Sequence, residues 1–200
     1  MPDRSPLLEP FDRFTELLAA ARDVGPERLP EPTAFALATV GSGGQPSARI
    51  LLLKGVDEHG FVFYTNYESR KGVDLLAHPQ AAMCFHWQPL ERQVRVEGIA
   101  TPVNEREADT YFASRPRGSQ IGAWASQQSR AMSQPSDLVE HVREMEARFA
   151  GVPVPRPPHW SGFRLAPQRV EFWHGMPSRL HERHVYTRDG DGWRTEVLYP

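Results

Sequence analysis

Residues 34 to 66 carry three short β-rich runs, AFALATVG, PSARILLLKG and GFVFYTN, separated by GSGGQ and VDEHG. Both separators are turn sequences, so the runs read as an antiparallel meander. The glycines of GSGGQP do not make a G-x-G-x-x-G pattern and have strands on both sides, which argues against a dinucleotide-binding fold. Ahead of the meander, PFDRFTELLAAARDVG spaces Phe11, Phe14, Leu17, Leu18 and Ala21 as one face of an amphipathic helix. After it, ESRKGVDLLAHP predicts a short helix ended by Pro79, and QAAMCFHWQ and RQVRVEGIATPV predict two more strands. A helical block follows in NEREADTYFASRP, SQIGAWASQQS and PSDLVEHVREMEARFAG. Proline-rich VPVPRPPHW returns the chain to strands at SGFRLAP, RVEFWHG, RLHERHVYTRD and GWRTEVLYP. Strands in series with helices in blocks predict an α+β barrel. The expected organisation is one domain over 1–200, with an N-terminal helix region at 1–28 and a linker at 151–160 inside it.

Two hundred residues, 40% of them hydrophobic, suffice for one substantial core. A formal charge of -2 argues against a nucleic-acid binder driven by bulk charge. The single cysteine, Cys84, excludes an internal disulfide and a multi-cysteine zinc site, and its setting in AAMCFHW reads as a buried small side chain. No stretch has the makings of a signal peptide or a membrane span, so a soluble cytoplasmic protein is expected. Of the 23 lysines and arginines only Lys54 and Lys71 are lysines, which draws attention to those two positions.

Four clusters of cations stand out. In SARILLLKG, Arg49 and Lys54 bracket four aliphatic residues, either as strand ends reaching solvent or as ligand contacts. Five residues apart, they point to opposite faces of a regular strand; two ligands, a bulge or a chain end at Gly55 would reconcile this. In NYESRKGVDLL, Arg70 and Lys71 fall in the first turn of a helix that Ser69 or Asn66 can cap. The helix dipole disfavours cations there unless an anion is bound; the alternative is a solvent-screened pair. In TYFASRPRGSQIGAW, Tyr111 and Arg115 share a helix face, Pro116 ends that helix and Ser119 can cap the next. This is a second anion pocket, unless Arg115 only complements its own helix dipole. In SRLHERHVY, Arg179, His181 and Arg183 alternate as a stripe on one face of a strand, facing a ligand or forming a charged solvent edge. His181 and His184 face opposite ways on such a strand, so no zinc site is predicted, and no G-x-S-x-G elbow is present.

The motifs RILLLK, FYTNYESRKG, ERQVRVEG, YFASRPRGSQIGAWAS, QQS, VEFWHG and RLHER, in this order, resemble the pyridoxine (pyridoxamine) 5'-phosphate oxidases from about residue 30 to the end. The resemblance implies a split β-barrel, predominantly antiparallel with peripheral helices, in a homodimer holding flavin mononucleotide (FMN) at the subunit interface. It implies oxidation of pyridoxine or pyridoxamine 5'-phosphate to pyridoxal 5'-phosphate, with O2 as acceptor and hydrogen peroxide as product. It places Arg49, Ile50, Leu51, Leu52, Leu53, Lys54, Tyr64, Thr65, Arg70, Lys71, Gln93, Gln128, Ser129, Trp173 and Arg183 at FMN. It gives the substrate phosphate to Lys54, Tyr111, Arg115 and Ser119, and the pyridine ring to Arg179 and His181 as catalytic residues. Orientation by His181 ranks above base catalysis. Longer members carry an N-terminal arm with an arginine and a tyrosine, for which this sequence has no matching segment. The phenazine-pathway flavin oxidases of the same family are the nearest alternative, and a non-catalytic FMN- or pyridoxal-phosphate-binding protein is a second.

Overall fold

The computed structural model describes residues 9–200. The first helix, α1 (Glu9–Asp23), buries Phe11, Phe14, Leu18 and Ala21 along one face, as the spacing predicts. The hairpin of β1 (Ala34–Val40) and β2 (Pro46–Leu52) forms as expected, with Phe35 opposite Leu51 and Val40 opposite Pro46. The meander does not continue. The third run, β4 (Gly60–Asn66), pairs instead with β3 (Gly55–Asp57), which overlaps the start of the expected turn VDEHG, and with β7 (Trp160–His174).

With β5 (Gln80–Trp87) and β6 (Arg92–Pro102), the strands follow the order β2-β1-β5-β6-β7-β4-β3, antiparallel throughout. The two ends of this path, β2 and β3, are joined in the chain through Leu53 and Lys54 alone. The sheet must therefore curl until its edges meet, which closes a barrel. Phe35, Leu37, Phe63, Phe85, Val94, Val96 and Phe163 fill the interior. The Phe14 ring of α1 packs edge-on at 4.9 Å against both Phe61 and Phe85, so the helix caps this core.

The long strand β7 organises the rest. Its first half pairs with β4 and its second half with β8 (Glu182–Asp189), which carries β9 (Gly192–Leu198) as a hairpin. The sequence predicted two strands here, broken near Pro167. They are one, because Pro167 falls at an irregularity where the β6–β7 register shifts between Glu97 and Gly98 and a missing N–H costs little.

Four further helices are α2 (Arg70–Ala77), α3 (Glu105–Ser114), α4 (Arg117–Ala125) and α5 (Pro135–Arg148). Phe112, Ile121, Phe149, Val154 and Trp160 form a second apolar cluster between α3, α4, α5 and β7. The 151–160 segment is thus no free linker: Val154 and Pro157 are buried, and Trp160 already belongs to β7. Cys84 is half-buried rather than buried, because its strand face is incompletely covered. Among the described residues no helix is long and apolar enough to cross a membrane.

Candidate functional site

The start of α2 gathers the first cationic centre. Ser69, not Asn66, caps the helix and accepts the Gly72 N–H at 3.4 Å, while the Asn66 side chain accepts from the Glu68 N–H. The first turn has Arg70 and Lys71 and no acid. Lys71 is only 8% exposed, and its Nζ donates to Thr65 Oγ1 (3.2 Å), Ser69 Oγ (2.9 Å) and Gln128 Oε1 (2.8 Å). All three acceptors are neutral. Burial first, and nearby Arg49 second, push the lysine down to about 8. Arg49 is held by Thr39 Oγ1 and Ser47 Oγ, each at 2.7 Å, with Asp74 at 4.0 Å. A side chain on Gly72 would meet the Tyr67 and Asn66 carbonyls at 2.4 and 2.6 Å, so only glycine lets the helix start this close to the 66–67 backbone.

The second centre lies beyond β4. Thr65 is turned to the Lys71 side, and its neighbour Tyr64 stacks on Tyr111 at 3.9 Å and lies parallel to Trp160 at 5.6 Å. Burial, then the charge of Glu107, pushes the Tyr64 hydroxyl up to about 12, so it stays protonated at neutral pH. Arg115 lies over the Trp160 ring at 4.6 Å and the Phe112 ring at 5.6 Å. Its Nη1 is buried without a hydrogen-bond partner. An unsatisfied buried guanidinium nitrogen is costly and marks a place where an anion fits.

The third centre is at the far end of β7. Gln93 of β6 is opposite Trp173, which is opposite Arg183. The Trp173 ring lies 4.6 Å from His181. The predicted stripe on one strand is corrected here: Pro177–Arg179 lie in a tight turn closed by the Leu180 N–H on the Pro177 carbonyl at 3.2 Å, and β8 starts only at Glu182. Arg179 and His181 therefore owe their placement to the turn. Ser178 (φ 58) and Arg179 (φ 61) are both left-handed, a costly conformation for non-glycine residues that often marks functional loops. His181 Nδ1 accepts the Met176 N–H at 3.1 Å. Arg183 does lie on the strand and donates to Glu171 Oε1 at 2.8 Å. Glu171 is 2% exposed, and its pairs with Arg183, Arg95 and Arg169 outweigh burial and hold it below the usual carboxylate range.

The remaining predicted residues are more scattered. Lys54 is exposed in the link between β2 and β3, where the end of the strand at Leu52 resolves the conflict over its face. Ile50 is 65% exposed, Leu51 and Leu52 are partly covered and Leu53 is buried. Ser119 is exposed and does not cap α4: the cap is Pro116 and Ser119 lies in the first turn, because the helix starts three residues earlier than a Ser119 cap implies. Ser129 follows Gln128 in a left-handed conformation. The second centre and the third lie at opposite ends of β7. Tyr64 is opposite Gly162 and Gln93 opposite Trp173, eleven residues further along β7, which is about 36 Å of strand. In the sequence Trp160 falls at the end of proline-rich VPVPRPPHW, and a tryptophan at the junction with a strand is the signal that marks it. Among the described residues no group of three or more His, Cys, Asp or Glu is placed to hold a metal ion.

A family model described as pyridoxamine 5'-phosphate oxidase matches residues 26–149, and one described as pyridoxine 5'-phosphate oxidase C-terminal dimerisation region matches residues 160–200. A pyridoxine/pyridoxamine 5'-phosphate oxidase of Myxococcus xanthus is 57% identical over 96% of this chain and 92% of its own length. One from Burkholderia lata is 56% identical, covering 95% of this chain and 87% of that protein. Among solved structures, PhzG from Burkholderia lata 383, in complex with tetrahydrophenazine-1-carboxylic acid, superposes with a TM-score of 0.88 at 37% identity, covering 96% of this chain and 92% of the other.

Proposed function

The chain belongs to the pyridoxine/pyridoxamine 5'-phosphate oxidase family of oxidoreductases, and we propose that it oxidises pyridoxine or pyridoxamine 5'-phosphate to pyridoxal 5'-phosphate with FMN and O2. The observation that carries this reading is the pair of cationic centres flanking β4, one at Lys71 and one at Arg115. Two anion sites, one on each side of β4, suit a phosphorylated cofactor and a phosphorylated substrate. Lys71 with its neutral acceptors and Arg115 with its orphan Nη1 fit such groups, since a phosphate would supply the charge partner each lacks.

In this reading Lys71, Arg70 and Arg49 hold the FMN phosphate at the start of α2. Ile50, Leu51, Leu52, Leu53, Tyr64, Thr65, Gln128 and Ser129 border the cofactor from the same chain. Lys54, Tyr111, Arg115 and Ser119 take the substrate phosphate. Gln93, Trp173, Arg179, His181 and Arg183 come from a second copy, because β7 holds them too far from the second centre, and the match to a dimerisation region supports this. When bound, FMN supplies the two-electron acceptor that passes electrons on to O2, giving hydrogen peroxide.

The chain's own contribution is to bind and orient. Since His181 Nδ1 accepts the Met176 N–H, the neutral ring carries its proton on Nε2. His181 therefore offers an N–H donor to the substrate and has no free lone pair for base catalysis. Arg179, fixed by the strained turn, supplies a cation beside it.

A second reading, oxidation of a tricyclic phenazine precursor, draws support from the likeness to PhzG. Relatives from one bacterium favour the first: the Burkholderia lata oxidase is 56% identical, whereas PhzG from the same species is 37% identical. The test is to load the purified protein with FMN and assay peroxide and pyridoxal 5'-phosphate aerobically. Formation of both from either B6 phosphate is expected; flavin-loaded protein that forms neither contradicts the reading.

A further inference from the structure

Trp160, the first residue of β7, is 7% exposed and touches both side chains of the second anion centre: Arg115 lies over its ring and Tyr111 stacks nearly parallel to it at 6.1 Å. An arginine can be fixed by a carboxylate or by an aromatic face. A carboxylate would neutralise the charge and occupy N–H donors, whereas a ring holds the guanidinium plane and leaves its edge donors available. The acids of α3 are engaged elsewhere. Glu105 and Asp109 take Arg156 at 2.8 and 2.6 Å, and Glu107 takes Arg164 at 3.2 Å. Arg156 also donates to the Trp160 carbonyl at 2.8 Å, and Phe112 meets the indole edge-on at 5.0 Å. The indole is thus fixed from both backbone and side chain, while Arg115 keeps its charge and an unused buried Nη1.

We propose that Trp160 is the positioning residue for the substrate phosphate: its face holds the Arg115 guanidinium ready for the anion and so sets the preference for a phosphorylated ligand. This rests on the reading that Arg115 belongs to the substrate phosphate site.

The test uses FMN-loaded enzyme with pyridoxine 5'-phosphate as substrate and inorganic phosphate as a direct probe. Trp160→Leu is expected to raise KM and weaken phosphate binding by about tenfold each, with kcat and flavin content within about twofold of wild type. Trp160→Phe, which keeps an aromatic face, recovers most of the loss. In an Arg115→Ala background, Trp160→Leu shifts KM by less than about twofold, because its effect runs through Arg115. An equal loss with and without Arg115, or one confined to kcat or flavin content, overturns the proposal. Should the leucine variant not fold, Trp160→Met keeps apolar volume without the ring: a loss near tenfold supports the role and a wild-type KM overturns it. If the wild type turns over no pyridoxine 5'-phosphate, the proposed reaction fails, but the phosphate titration still decides the role of Trp160: weaker binding in the variant supports it and unchanged binding overturns it.

Discussion

Lys71 occupies the first turn of α2 beside Arg70. Helix starts favour acids, and a first turn with Arg70 and Lys71 and none suggests a missing anion. The structure adds that the amine is buried among neutral oxygens and pushed down to about 8. The folded pKa is below the unfolded one, so without ligand the folded state binds fewer protons between about 8 and the ordinary lysine value of 10.5, and stability gains as pH rises through that window. Anion binding needs the charged form and has the opposite sign: flavin affinity is expected to fall as pH climbs past about 8, and Lys71→Met should flatten that slope while weakening flavin throughout. Fluorescence titrations of flavin on either side of this pH check it. Arg179 stands out by its charge, but period-two alternation assigns it to a strand that starts only at Glu182, because the turn opened by Pro177 takes up Arg179. Arg179→Ala should lower kcat by about 100-fold, the scale of lost substrate positioning, with flavin content unchanged. Equal flavin loss would mean that Arg179 serves the cofactor instead.

The hairpin β1–β2 and all five helices follow from local sequence, whereas the pairing of β4 with β7 does not. Turn chemistry speaks for neighbours in sequence; β4 and β7 are about a hundred residues apart, and a pairing at that range is set by the core both strands cover. The fusion of two predicted strands into β7 depends likewise on a device spanning two strands. Gly98 faces the β7 backbone at the irregularity, where an added Cβ would lie 2.1 Å from the Ala166 carbonyl oxygen. Gly98→Ala is expected to cost about 1–3 kcal/mol through forced backbone shift. Chemical denaturation should show a lower midpoint at unchanged slope. A wild-type midpoint would show that β6 and β7 yield easily there.

At the scale of the molecule, the separation of the third centre from the second decides how the site is built. No local pattern announces this, because it follows from the length of β7 and from which strand pairs at each end. If Arg115 of one copy works with Arg179 of another, the two alanine variants are each deficient, but exchanging their subunits leaves one intact site in every mixed dimer. About a quarter of wild-type activity should return after equal mixing and random exchange. No recovery under verified exchange would place both arginines in one chain's site. The central claim, that this chain oxidises a phosphorylated pyridine by way of a bound flavin, is tested most directly without oxygen. FMN-loaded protein is mixed anaerobically with pyridoxine or pyridoxamine 5'-phosphate while the visible flavin band is followed. Loss of the band with matching formation of pyridoxal 5'-phosphate is the expected result. A band that persists with both compounds but disappears with tetrahydrophenazine-1-carboxylic acid would contradict the account and assign the chain to phenazine chemistry.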